Sequence, residues 1–270
     1  MMSVANTIVY TMDGFFALGA EAGKETNMQD FYTNQQTVVL EGMDDGVNRY
    51  IAKVFGWMFL GLMLTALSTF AIVVGIGVSP AFAAAIQSLS QVILIVFLVQ
   101  ILLVGYISVR LEKMNTSTAI LLYLVYAIVN GFTVGLFALM HAGSGVITAF
   151  AITAISFGAM AVYGLKTKQD LTRAGNLFRM GLIGIIVLSI VNIFLGSGSL
   201  DFFICLAGLV IFLGLTAYHT SQIKNYYYHT SATGDVRMAN NLAIIGALML
   251  YLSFINLFMF ILRLMTGGRR

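Results

Sequence analysis

Residues 177–195 read LFRMGLIGIIVLSIVNIFL. Apart from Arg179 near its start, this run contains no charged side chain. About 20 apolar residues in an α-helix span the hydrocarbon core of a bilayer. The run is continuously apolar, whereas strands of membrane barrels alternate apolar and polar residues. This stretch therefore predicts a transmembrane helix and excludes a barrel strand.

The whole chain resembles this stretch in composition. Of its 270 residues, 59% are hydrophobic and 9% are charged, whereas a soluble surface carries about 25–35% charged residues. A soluble globular protein is excluded, and the lipid bilayer is the expected partner. The net charge of +3 does not indicate a nucleic-acid partner, because the basic residues lie at the ends of apolar runs and not in an aromatic-rich patch.

Apolar runs separated by short polar breaks continue on both sides of residues 177–195. The prediction is an all-α, polytopic membrane protein with seven transmembrane helices in residues 49–270. Residues 1–48 are predicted to form a mobile, polar and acidic tail. The start of the second helix is left open, because the segment around Pro80 fits a loop, an interfacial turn or an early helical start. The seven predicted helices are about 53–75, 88–109, 119–140, 146–165, 177–195, 202–223 and 241–264.

The distribution of Lys and Arg predicts the orientation. With seven crossings, the amino terminus shares one side with the connections at 110–118, 166–176 and 224–240, which are rich in Lys and Arg. The connections on the other side contain neither residue. Because cytoplasmic loops carry the excess of basic residues, the amino terminus is expected in the cytoplasm and the carboxyl terminus outside. A cytoplasmic carboxyl terminus would instead require six or eight helices.

The acidic residues argue against an enzyme. Seven of the eleven lie in the first 45 residues, and none lies inside an apolar run. Intramembrane aspartyl proteolysis needs two carboxylates that share a proton, and a catalytic metal needs three protein ligands. The only histidine on an apolar helix, His219, has no such ligands near it in sequence. We expect no catalytic residue, no metal site and no cofactor.

Several polar side chains fall within or at the ends of the apolar runs. For Gln100, Asn130 and Asn192 we expect interhelical hydrogen bonds, with pore lining as the alternative. His219 lies near the cytoplasmic end of the sixth helix and could sense protons near neutral pH. A neutral histidine with one hydrogen bond is the alternative. For the terminal arginines, Arg179 among them, we expect snorkelling to the membrane surface, with a gating or latch role as the alternative.

Small residues recur along the helices. The pair Gly131 and Gly135 in GFTVG predicts close helix packing. Homodimerisation through this pair is the alternative, although GxxxG matches also arise by chance. The expected state is a monomer or a weak homo-oligomer.

Two segments near the carboxyl end carry a family resemblance, Gly214–Lys224 (GLTAYHTSQIK) and Leu248–Phe258 (LMLYLSFINLF). With RYIAKVFGWMFLGLMLTA from Arg49 and FGAMAVYGLKTKQDL from Phe157, they resemble the Bax inhibitor family, the transmembrane Bax-inhibitor-motif proteins. The resemblance is strongest to the bacterial YccA-like branch, and it runs from about residue 49 to residue 270. It implies a bacterial inner membrane protein with the seventh helix at the centre of the bundle.

The resemblance also implies a pH-sensitive calcium leak. In the family two aspartates govern this leak, one after a tyrosine in the sixth helix and one within YLDFINLF in the seventh. The matching positions here are His219 and Ser253, and the polar residues Tyr218 and Asn256 beside them in the two motifs are expected to support the site. Because calcium prefers carboxylate and other oxygen ligands, calcium conduction is not expected. His219 and Ser253 are expected to form one neutral hydrogen bond between the two helices.

In the family a basic residue at the end of the second helix latches onto the aspartates. The matching residue is Arg110, with Lys113 as the alternative. Without an aspartate partner, Arg110 is expected to pair with Glu112, Asp170 or Asp235.

The leading functional prediction is a weak or inactive ion leak without the usual calcium site. The alternative is a non-conducting regulatory protein that binds a membrane protein partner, such as a quality-control protease. The acidic tail favours this alternative, because it is long and polar enough to serve as a soluble handle. A small-molecule transporter is a third reading, but no internal repeat supports it.

Overall fold

The computed structural model describes residues 28–90, 93–110, 114–140 and 145–267. These residues are helical apart from short connections, and no strand occurs among them. The predicted all-α class is therefore confirmed. In chain order the helices are α1 (Met28–Val78), α2 (Pro80–Ser90), α3 (Ile93–Arg110), α4 (Thr116–Met140), α5 (Gly145–Lys166), α6 (Thr172–Leu195), α7 (Gly198–Thr233) and α8 (Val236–Gly267).

The chain divides into two units between Gly46 and Val47. The helix α1 begins at Met28, so residues 28–48 of the predicted tail are helical. The rest of the predicted tail lies outside the described residues.

Six helical segments in the described ranges are long and apolar enough to cross a bilayer. They are Asp45–Val78, Thr116–Phe137, Gly145–Lys166, Thr172–Leu195, Gly198–Ala232 and Val236–Thr266. Each overlaps one of the seven predicted spans. The remaining predicted span, 88–109, corresponds to α2 and α3, and residues 91–92 between them lie outside the described residues. The count of seven stays a prediction.

Local sequence determines the tight connections at both ends of α7. Gly196 and Gly234 end the preceding helices with positive φ angles of 60° and 68°, a conformation that glycine adopts without steric cost. The Ser197 hydroxyl then accepts a hydrogen bond from the backbone N–H of Leu200 at 3.3 Å and caps α7. Asp235 caps α8 in the same way through the N–H of Met238 at 2.9 Å. These short connections make α6, α7 and α8 consecutive antiparallel neighbours.

The helix α8 is the most buried of the six apolar segments. In its most apolar window 67% of the residues are buried, compared with 44% in α7 and 6% in α6. It packs against α4, α5 and α7, and Leu248, Leu250 and Leu257 are fully buried in this core. In contrast, α6 exposes large apolar side chains such as Ile193 and Phe194, as expected of a surface that faces lipid.

Glycines allow close contact between α6 and α7. A Cβ atom on Gly175 of α6 would lie 2.4 Å from the ring of Tyr218, and one on Gly214 of α7 would lie 2.2 Å from the ring of Phe178. Each helix therefore inserts a ring over a glycine of the other. This reciprocal packing fixes the register of α6 against α7.

The Gly131 and Gly135 pair is used in contacts within the chain. A Cβ atom on Gly131 would lie 2.7 Å from the backbone oxygen of Thr65 in α1. Gly135 is also buried, and a Cβ atom there would lie 3.4 Å from Ile72 of α1. The predicted close packing is confirmed, and it occupies the face that a homodimer through this pair would need.

Candidate functional site

A buried polar cluster joins α1, α4 and α8. The Tyr251 hydroxyl lies 2.6 Å from Oγ1 of Thr65 and accepts a hydrogen bond from Nδ2 of Asn130 at 2.9 Å. Thr65 Oγ1 also donates toward backbone carbonyls of α1 and α4. All three side chains are buried. Because unpaired polar groups are costly in lipid, this cluster ties the three helices together.

The expectation of interhelical hydrogen bonds is confirmed for two of its three residues. Asn130 bonds to Tyr251 as described, and Nε2 of Gln100 in α3 donates to Oγ1 of Thr133 in α4 at 2.8 Å. For Asn192 the expectation is wrong. Its Oδ1 accepts a hydrogen bond from the backbone N–H of Ser197 at 3.1 Å, so it stabilises the connection that follows its own helix.

His219 and Ser253, for which the sequence predicts a contact between two helices, lie together. Nδ1 of His219 in α7 is 3.3 Å from Oγ of Ser253 in α8, the contact that the sequence predicts. Ser253 Oγ also donates to the backbone oxygen of Met249 at 3.0 Å. Since a hydroxyl has one proton, Oγ is left as the acceptor toward His219, and we assign the imidazole proton to Nδ1.

A basic side chain from a third helix lies beside this contact. Arg179 of α6 donates a hydrogen bond to the Tyr218 hydroxyl, and its Cζ is 4.9 Å from the centroid of the Tyr218 ring. That centroid is 5.6 Å from the centroid of the His219 ring. We call Arg179, Tyr218, His219 and Ser253 the three-helix site, because they come from α6, α7 and α8.

Packing holds Tyr218 in place at this site. Its side chain is buried, with 7% of its surface exposed, and its ring rests on Gly175. Gly175 and Arg179 are one helical turn apart and therefore lie on the same face of α6. The ring is held against both of them, which positions the hydroxyl for Arg179.

No carboxylate from the described residues of 47–270 contacts the three-helix site. The carboxylates in that part are Asp170, Asp201 and Asp235. Asp201 forms an ion pair with Arg263 between the start of α7 and the end of α8. Asp170 and Asp235 accept hydrogen bonds from backbone N–H groups two and three residues later. The site therefore combines one guanidinium, one imidazole and two hydroxyls, a set that favours anions over cations.

The described contacts of the other predicted site residues do not include the three-helix site. The Cζ atom of Arg110 is 6.0 Å from the centroid of the Tyr106 ring on its own helix, and no described contact joins Arg110 to the three-helix site. Glu112 and Lys113 lie outside the described residues. Asn256 donates from Nδ2 to a backbone oxygen one turn earlier in α8 at 2.8 Å. The latch role of Arg110 stays a prediction.

The sequence did not predict that Arg179 would contact Tyr218. Arg179 reads as an arginine at the end of an apolar run, for which snorkelling is the default. One feature of the sequence could have indicated this contact. Gly175 and Arg179 are spaced to lie on one face of the helix, where the glycine leaves room for an aromatic ring beside the cation. That signal does not identify the helix that supplies the ring.

Comparisons with known proteins agree with the motifs. Residues 47–270 match the family described as "Inhibitor of apoptosis-promoting Bax1". Protein RP147 of Rickettsia prowazekii is 39% identical over 227 residues, which cover 84% of this chain and 92% of that protein. The inner membrane protein YbhL of Escherichia coli K12 is 36% identical over 229 residues, covering 83% and 94% of the two chains. A Borreliella burgdorferi protein is 38% identical over 223 residues, covering 83% and 93%.

Proposed function

Because this chain belongs to the Bax inhibitor family, we propose that it is a weak ion-leak protein that excludes calcium and is closed by the His219–Ser253 contact. The observation that carries this proposal is the distance of 3.3 Å between Nδ1 and Oγ. It occurs at the two positions that match the family's calcium-leak aspartates. A neutral hydrogen bond between α7 and α8 here replaces a pair of titrating carboxylates.

The proposal includes a seven-helix architecture in a bacterial inner membrane. The segment of α2 and α3 supplies the second crossing, and α8 is the central seventh helix, an assignment supported by its high burial. The inner membrane location is supported by the relative YbhL, which is named as an inner membrane protein. The basic connections support a cytoplasmic amino terminus.

Loss of calcium conduction follows from the charges at the site. Calcium takes about six to eight oxygen ligands, commonly with carboxylates that balance its charge. The two hydroxyl oxygens of the three-helix site are already hydrogen-bonded. The guanidinium of Arg179 repels a divalent cation twice as strongly as a monovalent one at the same distance.

Protonation of His219 would change this contact. A charged imidazole still donates from Nδ1 to Ser253, but it places a second positive charge beside Arg179. Repulsion between α6 and α7 would then favour a more open arrangement. We therefore expect the leak to increase as the pH falls.

Flux from proteoliposomes tests the proposal. We expect the wild type to release potassium slowly and to release calcium no faster than protein-free vesicles. The double variant His219→Asp with Ser253→Asp should release calcium about tenfold faster, because it restores two carboxylates. The matched control Ser221→Asp adds a carboxylate two residues after His219, and residues at that spacing do not share a helix face, so it should not speed calcium release. Rapid calcium release by the wild type that His219→Ala abolishes would contradict the proposal, as would a wild type that releases no potassium.

A second candidate is a non-conducting regulatory protein that binds a membrane partner such as a quality-control protease. The family match begins at residue 47, and the segment before it holds seven of the eleven acidic residues. Such a segment fits a contact with a basic surface of a partner. Deletion of residues 1–45 separates the two candidates, because a leak through the bundle should survive it and cross-linking to the partner should not.

A further inference from the structure

Arg179 is an arginine inside a membrane-spanning helix. It lies about two turns after Thr172, the first residue of α6, or about 10 Å along the helix axis. Its described hydrogen bond goes to a neutral hydroxyl, whereas Arg263 at the end of α8 forms an ion pair with Asp201. Ionisable groups at such depth usually pair with an opposite charge or mark a binding site.

The donors around Arg179 remain available to a ligand. A guanidinium has five N–H donors in a planar fork, and the described contact uses one of its terminal nitrogens. The Tyr218 hydroxyl accepts that bond, so its own proton can be donated onward. The Arg179 side chain is exposed at the surface of the bundle. Arg179 therefore presents its remaining N–H donors at the surface, and the buried Tyr218 hydroxyl that it contacts still has one proton to donate.

The donors are also held in a fixed geometry. The Tyr218 ring rests on Gly175, where a Cβ atom would lie 2.4 Å away. The guanidinium of Arg179 lies over the same ring, with Cζ at 4.9 Å from its centroid. A site whose donors are positioned before binding loses less entropy when a ligand arrives.

The surroundings are basic at this end of α5, α6 and α7. Lys166 is the last residue of α5, Lys168 follows that helix, and Arg173 lies in the first turn of α6. All three side chains are exposed. The nearby carboxylate in sequence, Asp170, accepts hydrogen bonds from Thr172. Hydrogen bonds from the side chain and backbone of Thr172 hold the pKa of Asp170 below its usual range. An anion that approaches from this end of the helices would therefore meet exposed positive charges before it reaches Arg179.

We infer that Arg179 and Tyr218 form a phosphate-binding site on the seam between α6 and α7. A guanidinium fork matches two oxygens of a phosphate, and basic pockets between transmembrane helices bind lipid headgroups. The exposed apolar side chains Met180 and Ile183 follow Arg179 on α6. They favour the phosphate of an anionic phospholipid, whose acyl chains would lie along this helix, over free phosphate. The inference goes beyond the ion leak and does not depend on it.

The site is tested with the purified full-length chain in a neutral detergent. Bound lipid is measured by native mass spectrometry, and affinity by the shift of the thermal midpoint on titration. The probes are phosphatidylglycerol, the zwitterionic lipid phosphatidylcholine and inorganic phosphate. We expect saturable binding of phosphatidylglycerol and little binding of phosphatidylcholine. Saturation by inorganic phosphate alone would assign the same site to free phosphate instead of a lipid.

Variants identify the residues responsible. Arg179→Gln should weaken phosphatidylglycerol binding about tenfold, the size of one lost charged contact, and Tyr218→Phe should weaken it less. Arg179→Lys keeps the positive charge but lacks the planar fork of N–H donors, so its affinity should lie between those of the wild type and Arg179→Gln. The control Arg237→Gln removes the same charge from an exposed position at the start of α8 and should bind like the wild type. Equal affinities for Arg179→Gln and Arg237→Gln would overturn the inference, as would equal binding of both lipids.

The two proposals can fail separately. A protein that binds phosphatidylglycerol through Arg179 and releases no ions would refute the leak and leave the phosphate site standing. A protein that leaks potassium but binds phosphatidylglycerol equally with and without Arg179 would refute the phosphate site and support the leak. Should Arg179→Gln not fold, Arg179→Lys and Tyr218→Phe supply the same comparison.

Discussion

Tyr251 shows how a single side chain holds three helices together. Its ring is fully buried and lies edge-on to the rings of Tyr123 and Tyr126 in α4, with centroids 6.0 and 5.9 Å apart. Its hydroxyl meets Thr65 of α1 and Asn130 of α4. The apolar ring fills the core while the hydroxyl satisfies two polar groups that water cannot reach.

Tyr251→Phe should destabilise the bundle without changing its packing. The substitution leaves the amide of Asn130 without its acceptor and the hydroxyl of Thr65 without one partner. We expect a loss of about 1–2 kcal/mol in the free energy of unfolding, measured by thermal or denaturant unfolding in detergent. The control Tyr228→Phe removes a hydroxyl from a side chain that is 45% exposed. If both variants lose the same stability, the cluster does not act as described.

The contact of His219 with Ser253 and the contact of Arg179 with Tyr218 differ in how far sequence predicts them. The first joins two positions for which the family resemblance implies neighbouring side chains, so the contact is predicted before the structure is known. The second depends on how a ring from α7 fits onto Gly175 of α6. Such a fit depends on the shapes of two helix surfaces. The residue types along either helix do not specify which surfaces meet.

At the scale of elements, α6 and α7 meet through rings placed over glycines. Tyr218 lies over Gly175, Phe178 lies over Gly214, and Ile211 approaches Gly181, where a Cβ atom would lie 2.7 Å away. In a membrane there is little hydrophobic gain from joining two apolar helices, so close packing of this kind supplies the association. The same seam positions Arg179, which lies between Phe178 and Gly181 on α6.

Gly175→Ala should weaken this seam. The added methyl group would overlap the Tyr218 ring, which Arg179 and the burial of the ring prevent from moving freely. We expect a loss of about 1–3 kcal/mol in stability and weaker phosphatidylglycerol binding.

Gly184→Ala is the matched control on the same helix. A Cβ atom there meets nothing within 4 Å, and alanine favours the helix by about 0.5–1 kcal/mol over glycine. Its stability should equal or slightly exceed that of the wild type. A Gly175→Ala protein as stable as Gly184→Ala would show that the seam tolerates separation.

At the scale of the whole molecule, the prediction of seven crossings with a cytoplasmic amino terminus implies a carboxyl terminus outside the cytoplasm. We expect alkaline phosphatase fused to the carboxyl terminus to be active and a fluorescent protein fused there to be dark. A fusion after Gly234, in the connection between α7 and α8, should give the opposite pair of results. A fluorescent carboxyl-terminal fusion would require an even number of crossings.

Hydropathy predicts the membrane helices of this chain well because lipid leaves the backbone no other partner than itself. Residues 177–195 must form a helix wherever they sit in the bilayer. The start of α1 at Met28 is not predicted, because residues 28–48 are polar and their helix has no apolar periodicity to reveal it. Asn192 is mispredicted for a related reason: an amide near a helix end can bond to the next connection as well as to another helix.

The central claim is the proposal that the His219–Ser253 hydrogen bond takes the place of the two calcium-leak aspartates that the family resemblance implies. Calcium titration of the purified protein, followed by isothermal calorimetry, tests it most directly. The wild type should show no saturable calcium binding at millimolar concentration, and the His219→Asp, Ser253→Asp variant should show it. Saturable calcium binding by the wild type that is lost in His219→Ala would contradict the account.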